Sequence, residues 1–376
     1  MGAVPEEMEA RRPRRGGKTL WIVLGAIVVA GVILGYGVVA GWFSSQPITL
    51  TGAGATFPYP LINKWSSVYV NLTGVHVNYQ SLGSGAGIAQ ITQKTVDFAG
   101  TDAPLKPSER AAAPELLHLP ETIGAVTATY NLPGIATGLN LTGSVLGDIF
   151  LGRVTSWNNA SIQALNPSVN LPNNPIVVVH RSDGSGTTFV WTSYLHLENS
   201  GWNSSLVGKS INWPVGVGKP GNAAVAGYVI QTSYAIGYVE LAYTVQSAMT
   251  VAKIKNPANN FVLPSLANTT AAASTATSLP APGGDWGNVS ILNAPGANSY
   301  PISSLTYLLV YKELNVLGSS MTQTKAKALV EFIWWAVHSG QTYAPALIYA
   351  SLPGSIVTLD EVGLRSITFN GQTLHT

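Results

Sequence analysis

The sequence predicts an α/β fold, and three observations carry that prediction. Short apolar runs alternate with longer stretches of helical periodicity from residue 48 onward. Gly- and Ser-rich turns separate the two kinds of segment. The chain has 376 residues, 46% of them hydrophobic, enough for a proper core and about two domains.

Taken in order, Ile48-Thr49-Leu50 reads as a strand and Leu61–Val70 as a helix. Val75–Gln80 alternates with a period of two, which fits a half-buried strand. Gly85–Thr92 opens a helix and Val96–Ala99 is a short strand. Ile123–Tyr130 and Ile176–Val179 are rich in β-branched residues, which favour strands. Thr187–Leu197 is helical in pattern. Residues 264–283 are low-complexity Pro/Ala/Ser/Thr and predict a surface excursion rather than a core element. Tyr307–Tyr311 returns to a strand. Lys325–His338 predicts a helix with Leu329, Phe332, Ile333 and Val337 facing a core.

The N-terminus has a different character. Arg11, Arg12, Arg14, Arg15 and Lys18 precede residues 20–43, which contain no charge. About 20 such residues suffice to cross a bilayer, and a basic flank stays in the cytoplasm. Residues 1–19 thus read as a cytoplasmic N-terminus and 20–43 as a transmembrane anchor or signal segment, with the length favouring an uncleaved anchor. Either way the remainder is exported to the cell surface, anchored by this helix or secreted after cleavage. Six N-x-S/T sequons, at Asn71, Asn140, Asn159, Asn203, Asn268 and Asn288, fit an exported and glycosylated domain.

Only 10% of residues are charged, against roughly 25% in an average soluble domain. Past residue 18 the chain is neutral, with 14 basic and 14 acidic side chains, so nothing suggests nucleic acid as a partner. The absence of cysteine excludes disulfides, thiolate metal sites and a lipid-bearing cysteine. No histidine pattern has metal-ligand spacing, and no cofactor is expected. So thin a charge suits a protein that faces an acidic medium, where carboxylates would be protonated.

Four loops share one chemistry: TGAGATFP at Thr51–Pro58, SLGSGAG at Ser81–Gly87, TDAPL at Thr101–Leu105 and RSDGSGTTF at 181–189. Each follows a strand and three precede a helix. A strand, a Gly-rich turn and a helix start together present unpaired N–H groups and a helix dipole to an anion. None is a nucleotide loop, since GAGATF lacks a third glycine and Gly208-Lys209-Ser210 has Asn203 where glycine is required. Ser185 lacks the flanking glycines of a hydrolase elbow. Taken singly, each loop could be only a turn. Asp102 before Ala-Pro could serve as a turn former, and Arg181 and Asp183 could form a purely structural ion pair. His180 reads as a packing residue.

Together, LTGAGATFPYPLINKW, NYQSLGSGAGIAQI, TVDFAGTDAPL, HRSDGSGTTFVWTSYL, YAIGYVELAY and YASLP resemble the phosphate-specific solute-binding proteins of PstS type. These are the extracytoplasmic receptors of phosphate ABC importers. The resemblance covers roughly residues 48–355. It implies a two-lobed periplasmic-binding-protein-like (type II) clamp with a discontinuous first lobe, 48–122 with 301–376, and a second lobe, 123–300. Chain crossings would lie near Thr122–Ala125 and Asn298–Ile302. It further implies that Thr56 and Phe57 donate from the first loop and Ser84 from the second, with Asp102 as the acceptor. Arg181, Ser185, Gly186 and Thr187 would come from the second lobe, with Asp183 holding Arg181.

The implied partners are inorganic phosphate, a phosphate permease with its ATPase, and the membrane through the N-terminal helix. The receptor domain itself would be monomeric. The sequence departs from the family at Gly85, where many relatives carry a small hydroxyl residue. The 264–283 segment is an insertion, and the match after Pro353 is loose. Alternatives are a receptor for arsenate or sulfate, or a phosphatase of related fold. The last would need a nucleophile or metal that the sequence does not display.

Overall fold

Helix caps follow closely from local residue choice. The computed structural model describes residues 1–2, 47–276 and 279–374. Ile48–Thr376 forms one unit, separate from Met1–Pro47. The expected anchor at 20–43 and the basic segment before it lie outside the described residues. Among the described residues no helix is long and apolar enough to cross a membrane.

The strands in chain order are β1 (Thr49–Gly54), β2 (His76–Ser81), β3 (Phe98–Thr101), β4 (Leu116–Tyr130), β5 (Asn140–Leu141), β6 (Val177–Arg181), β7 (Val217–Lys219), β8 (Ala235–Glu240), β9 (Thr250–Val251), β10 (Lys253–Lys255), β11 (Phe261–Val262) and β12 (Ser303–Tyr311), followed by a C-terminal hairpin of β13 (Thr368–Phe369) and β14 (Gln372–Thr373). The main sheet runs β2-β1-β3-β12-β4-β8-β6-β7, with β9 on β4, and a small sheet runs β11-β10-β5. Two parallel triplets, β2-β1-β3 and β8-β6-β7, flank an antiparallel centre. β4 joins them: Leu116–Ala125 lies along β12, and Val126–Tyr130 along β8. All 15 residues of β4 are buried, as a strand covered on both faces requires.

The helices begin and end where their residues permit. Tyr59–Thr73 has Pro60 in its first turn and stops at Gly74, whose φ of 75° closes the last turn. Gly186–Glu198 is capped by the Ser185 hydroxyl, which accepts from the Thr188 N–H at 3.0 Å. Gln323–Val337 buries Leu329, Phe332, Ile333 and Val337, as its spacing predicts. Each such side chain contributes about 1.5–3 kcal/mol.

Two expectations need correction. Part of the 264–283 stretch is a core element: Leu266–Ala273 is a helix with Thr269, Ala272 and Ala273 buried, and it packs on β4 and β12. Alanine is the best helix former and its small side chain allows close approach, so low complexity here marks tight packing rather than a loop. The strand expected at Ile123–Tyr130 begins seven residues earlier, at Leu116. Pro120 masks that extension in the sequence and sits at a register shift, where it withdraws no needed N–H.

Candidate functional site

The four loops meet at the carboxyl ends of β1, β2, β3 and β6, where parallel sheets place ligands. Arg181, the last residue of β6, is only 2% exposed. Its Nε donates to Asp183 Oδ1 at 2.7 Å and its Nη2 to Asp183 Oδ2, a bidentate pair. Its Nη1 donates to Thr56 Oγ1 at 3.0 Å and to Asn222 Oδ1 at 3.2 Å. A guanidinium has five N–H groups, so one Nη2 hydrogen remains for another acceptor. Burial pushes the Asp183 carboxyl up, but the bonds and charge of Arg181, with the Gly221 N–H, outweigh it and hold the group below the usual carboxylate range.

The second and third loops interlock with the fourth. Ser84 Oγ accepts from the backbone N–H of Asp102 at 3.2 Å and from that of Gly186 at 3.1 Å. The Gly85 N–H donates to the Gly184 carbonyl at 2.8 Å. A Cβ on Gly85 would lie 3.0 Å from Gly184 Cα, so the missing hydroxyl side chain lets these loops approach. A Cβ on Gly186 would lie 2.5 Å from both Asp102 Oδ2 and Ser84 Oγ, so only glycine fits between them. Lys209 on the far side pairs with Glu109 at 2.7 Å and adds an ion pair across the same junction.

Asp102 is 2% exposed and accepts from Thr306 Oγ1 at 2.9 Å. Burial raises its carboxyl to about 7, against the opposing pull of the Thr306 hydroxyl, the Arg181 charge and the Thr187 backbone. Thr187 Oγ1 accepts from Asn222 Nδ2 at 3.3 Å. The Ser185 hydroxyl oxygen caps its helix, which leaves its hydrogen to donate. Phe57 is placed differently from the rest: its ring is fully buried, and its carbonyl accepts from Tyr349 at 2.7 Å. Its contribution to a site would be through its backbone alone. His180 stacks on Trp213 at 4.6 Å. A cleft of about 430 Å³ also reaches Asp102, but its lining holds none of the anion donors.

Three participants escaped the sequence reading. Asn222 is fully buried and touches Arg181, Thr187 and, through its N–H at 3.4 Å, Thr56. Its segment, in which Lys219-Pro220 leads into an Ala-rich helix that starts at Gly221-Asn222, has the same strand–turn–helix grammar as the other loops. Tyr238 accepts from the Arg181 N–H at 3.1 Å, and Thr306 reaches Asp102. Neither carries a local signal.

The protein carries several buried carboxyls with raised pKa. Burial lifts Glu121 to about 8, Asp102 to about 7, and Glu240 and Asp360 well above the ordinary range. A carboxyl whose folded pKa exceeds its unfolded value binds more protons when folded, so its stabilisation is greatest at low pH and is lost as pH rises toward the folded value. For Asp102 and Glu121 that window runs from about 4 to about 7 and 8. We expect the thermal midpoint to rise as pH falls from about 8 to about 5, with Asp183 opposing only at more acid pH. A midpoint that peaks at neutrality and falls steadily on acidification would refute this.

Comparison with known proteins gives consistent matches. Residues 43–337 match the model of the PBP superfamily domain. The chain is 43% identical over 316 residues to the phosphate-binding protein PstS of Pasteurella multocida, covering 84% of this chain and 89% of that one. It is 35% identical over 378 aligned positions to the phosphate-binding protein PstS of Methanocaldococcus jannaschii, covering 93% and 95%. In structure it is similar to the phosphate-binding protein from Stenotrophomonas maltophilia, with a TM-score of 0.65 at 19% identity over 84% of this chain and 93% of that one. At that identity the likeness concerns the fold.

Proposed function

The chain belongs to the PstS-type phosphate-binding proteins of the PBP superfamily, and from that premise we propose that it is the extracytoplasmic receptor of a phosphate ABC importer. It captures inorganic phosphate reversibly and hands it to the permease, without turnover. The observation that carries this reading is the pairing of one buried cation with one buried acceptor inside a ring of neutral donors. Arg181 supplies the charge and touches Thr56, Asn222 links it to Thr187, and Ser84 accepts from Gly186 at the next step of the same junction. Asp102 faces Gly186 across the junction.

The chemistry favours a protonated oxyanion. Phosphate near neutrality keeps at least one proton and can donate it to Asp102. Sulfate has none, and would meet Asp102 with lone pairs and negative charge. A site built around a substrate's hydrogen rejects the analogue lacking it by about 10⁴-fold. The donors need not neutralise the ligand, because each charge-assisted bond contributes roughly 1.5–3 kcal/mol. Phe57 joins this set through its backbone, and Asp183 orients Arg181.

Entry and exit of the ligand require the loops to part. We place the lobes at 48–122 with 301–376 and at 123–300. The support is β4, which changes partner from β12 to β8 between Ala125 and Val126. The receptor would be held at the cell surface by residues 20–43.

Calorimetric titration with phosphate, and with sulfate in parallel, tests the reading. Tight one-to-one phosphate binding with negligible sulfate heat is expected. Equal response to both anions would remove the role of Asp102, and silence to both would remove the receptor reading.

A further inference from the structure

The hydrogen bonds around Glu121 leave one proton unaccounted for. Thr306 pairs with Thr122 and Tyr307 with Pro120, so Glu121 has no partner across β12 and the strand bulges there. Bulges re-aim side chains. This one brings Glu121 Oε1 to 3.2 Å from Thr306 Oγ1. The same hydroxyl oxygen lies 2.9 Å from Asp102 Oδ1 and 3.4 Å from the Thr101 carbonyl. A hydroxyl donates one proton and cannot satisfy two buried carboxylates. One carboxyl must therefore keep its own proton and donate it to Thr306.

The surroundings decide which one. Asp102 feels the Arg181 charge and the Thr187 backbone. Glu121 has only Thr306 in its favour, is fully buried, and its Oε2 has no partner. The titratable groups around the pair are Tyr79 from β2, Arg181 from β6, Glu240 at the end of β8, Tyr243 and Tyr349 beside it, and Tyr307 from β12. Arg181 is the one cation among them, and it acts on Asp102. Burial accordingly raises Glu121 to about 8, above the value of about 7 for Asp102.

We propose that Glu121 is a positioning residue for anion capture: its carboxylic acid donates through Thr306 to Asp102, holding Asp102 as the acceptor that phosphate's hydroxyl needs, and loss of that proton weakens binding. Resting on the phosphate-receptor reading, this adds to it a pH range. While Glu121 holds its proton and Asp102 is ionised, the relay Glu121–Thr306–Asp102 is fully bonded. Above it, two carboxylates compete for one hydroxyl, and a second negative charge lies close to the anion.

The test compares phosphate affinity of the wild-type protein and Glu121→Gln between about pH 6 and pH 9.5. Glutamine keeps a donor for Thr306 but cannot ionise. The ratio of the two dissociation constants cancels the ionisation of phosphate itself. We expect it to stay constant at the acid end and to grow by about tenfold at the alkaline end, the wild type becoming the weaker binder. A flat ratio with normal wild-type binding overturns the relay. Absence of phosphate binding by the wild type overturns the receptor reading instead. In that case, or if the variant fails to fold, the infrared carbonyl band of protonated carboxyls decides. Loss of one such band from the wild type as pH passes through about 8 supports the assignment, and no change overturns it.

Discussion

Replacing Arg181 by alanine is expected to lower phosphate affinity by roughly 10²- to 10⁴-fold, the worth of two charge-assisted hydrogen bonds at about 1.5–3 kcal/mol each. Arg181 is the buried cation among the anion donors, and two of its hydrogens rest on the neutral oxygens of Thr56 and Asn222. Those contacts can be exchanged for ligand oxygens at small cost, whereas the bidentate bond to Asp183 keeps the guanidinium aimed. Truncation also leaves Asp183 without its partner, so the variant should lose stability by about 2–4 kcal/mol. Lysine in place of Arg181 separates the two effects: it keeps a charge near Asp183 but cannot engage Asp183 and an anion together, and should bind weakly while folding well. Titration of both variants checks this. Binding by the alanine variant within about threefold of wild type would show that Arg181 serves only the fold.

The second large effect is expected at Asp102, and it concerns selectivity more than affinity. In Asp102→Asn the side chain keeps its size and its place opposite Gly186, but now presents both an acceptor and a donor. Sulfate, which the carboxylate would exclude on the proposed reading, would gain a donor. The preference for phosphate over sulfate should narrow by about 10³-fold, largely through tighter sulfate binding. Competition titration of the two anions measures the ratio directly. An unchanged ratio would mean that selectivity resides in the donors, not in this carboxyl. The variant also removes the charge that competes with Glu121 for Thr306, so any alkaline weakening of binding should shrink with it.

Much of this site could be read before any coordinates, because its chemistry is local. Arg181 and Asp183 lie two residues apart, and Ser185 caps the helix that starts at Gly186. Such motifs are written within a single loop, where backbone geometry and residue type act together. Asn222 is legible in principle from the Pro-Gly step that opens its helix. The helix inside 264–283 is hidden in the sequence because a low-complexity composition does not show how closely alanine side chains pack.

By itself, the sequence determined the α/β alternation, the helix ends, the four Gly- and Ser-rich loops and the closeness of Arg181 to Asp183. All of these depend on contacts within a few residues. Only the tertiary structure decided how far apart in the chain the partners would be. Thr56 meets Arg181 across 125 positions, Asp102 meets Thr306 across 204, and Glu121 meets Thr306 across 185. The bulge at Glu121 depends on the pairing of β4 with β12, which no local pattern specifies. Burial completes the difference: a carboxyl's charge state is set by the water taken from it, and that is fixed only when the strands around it close.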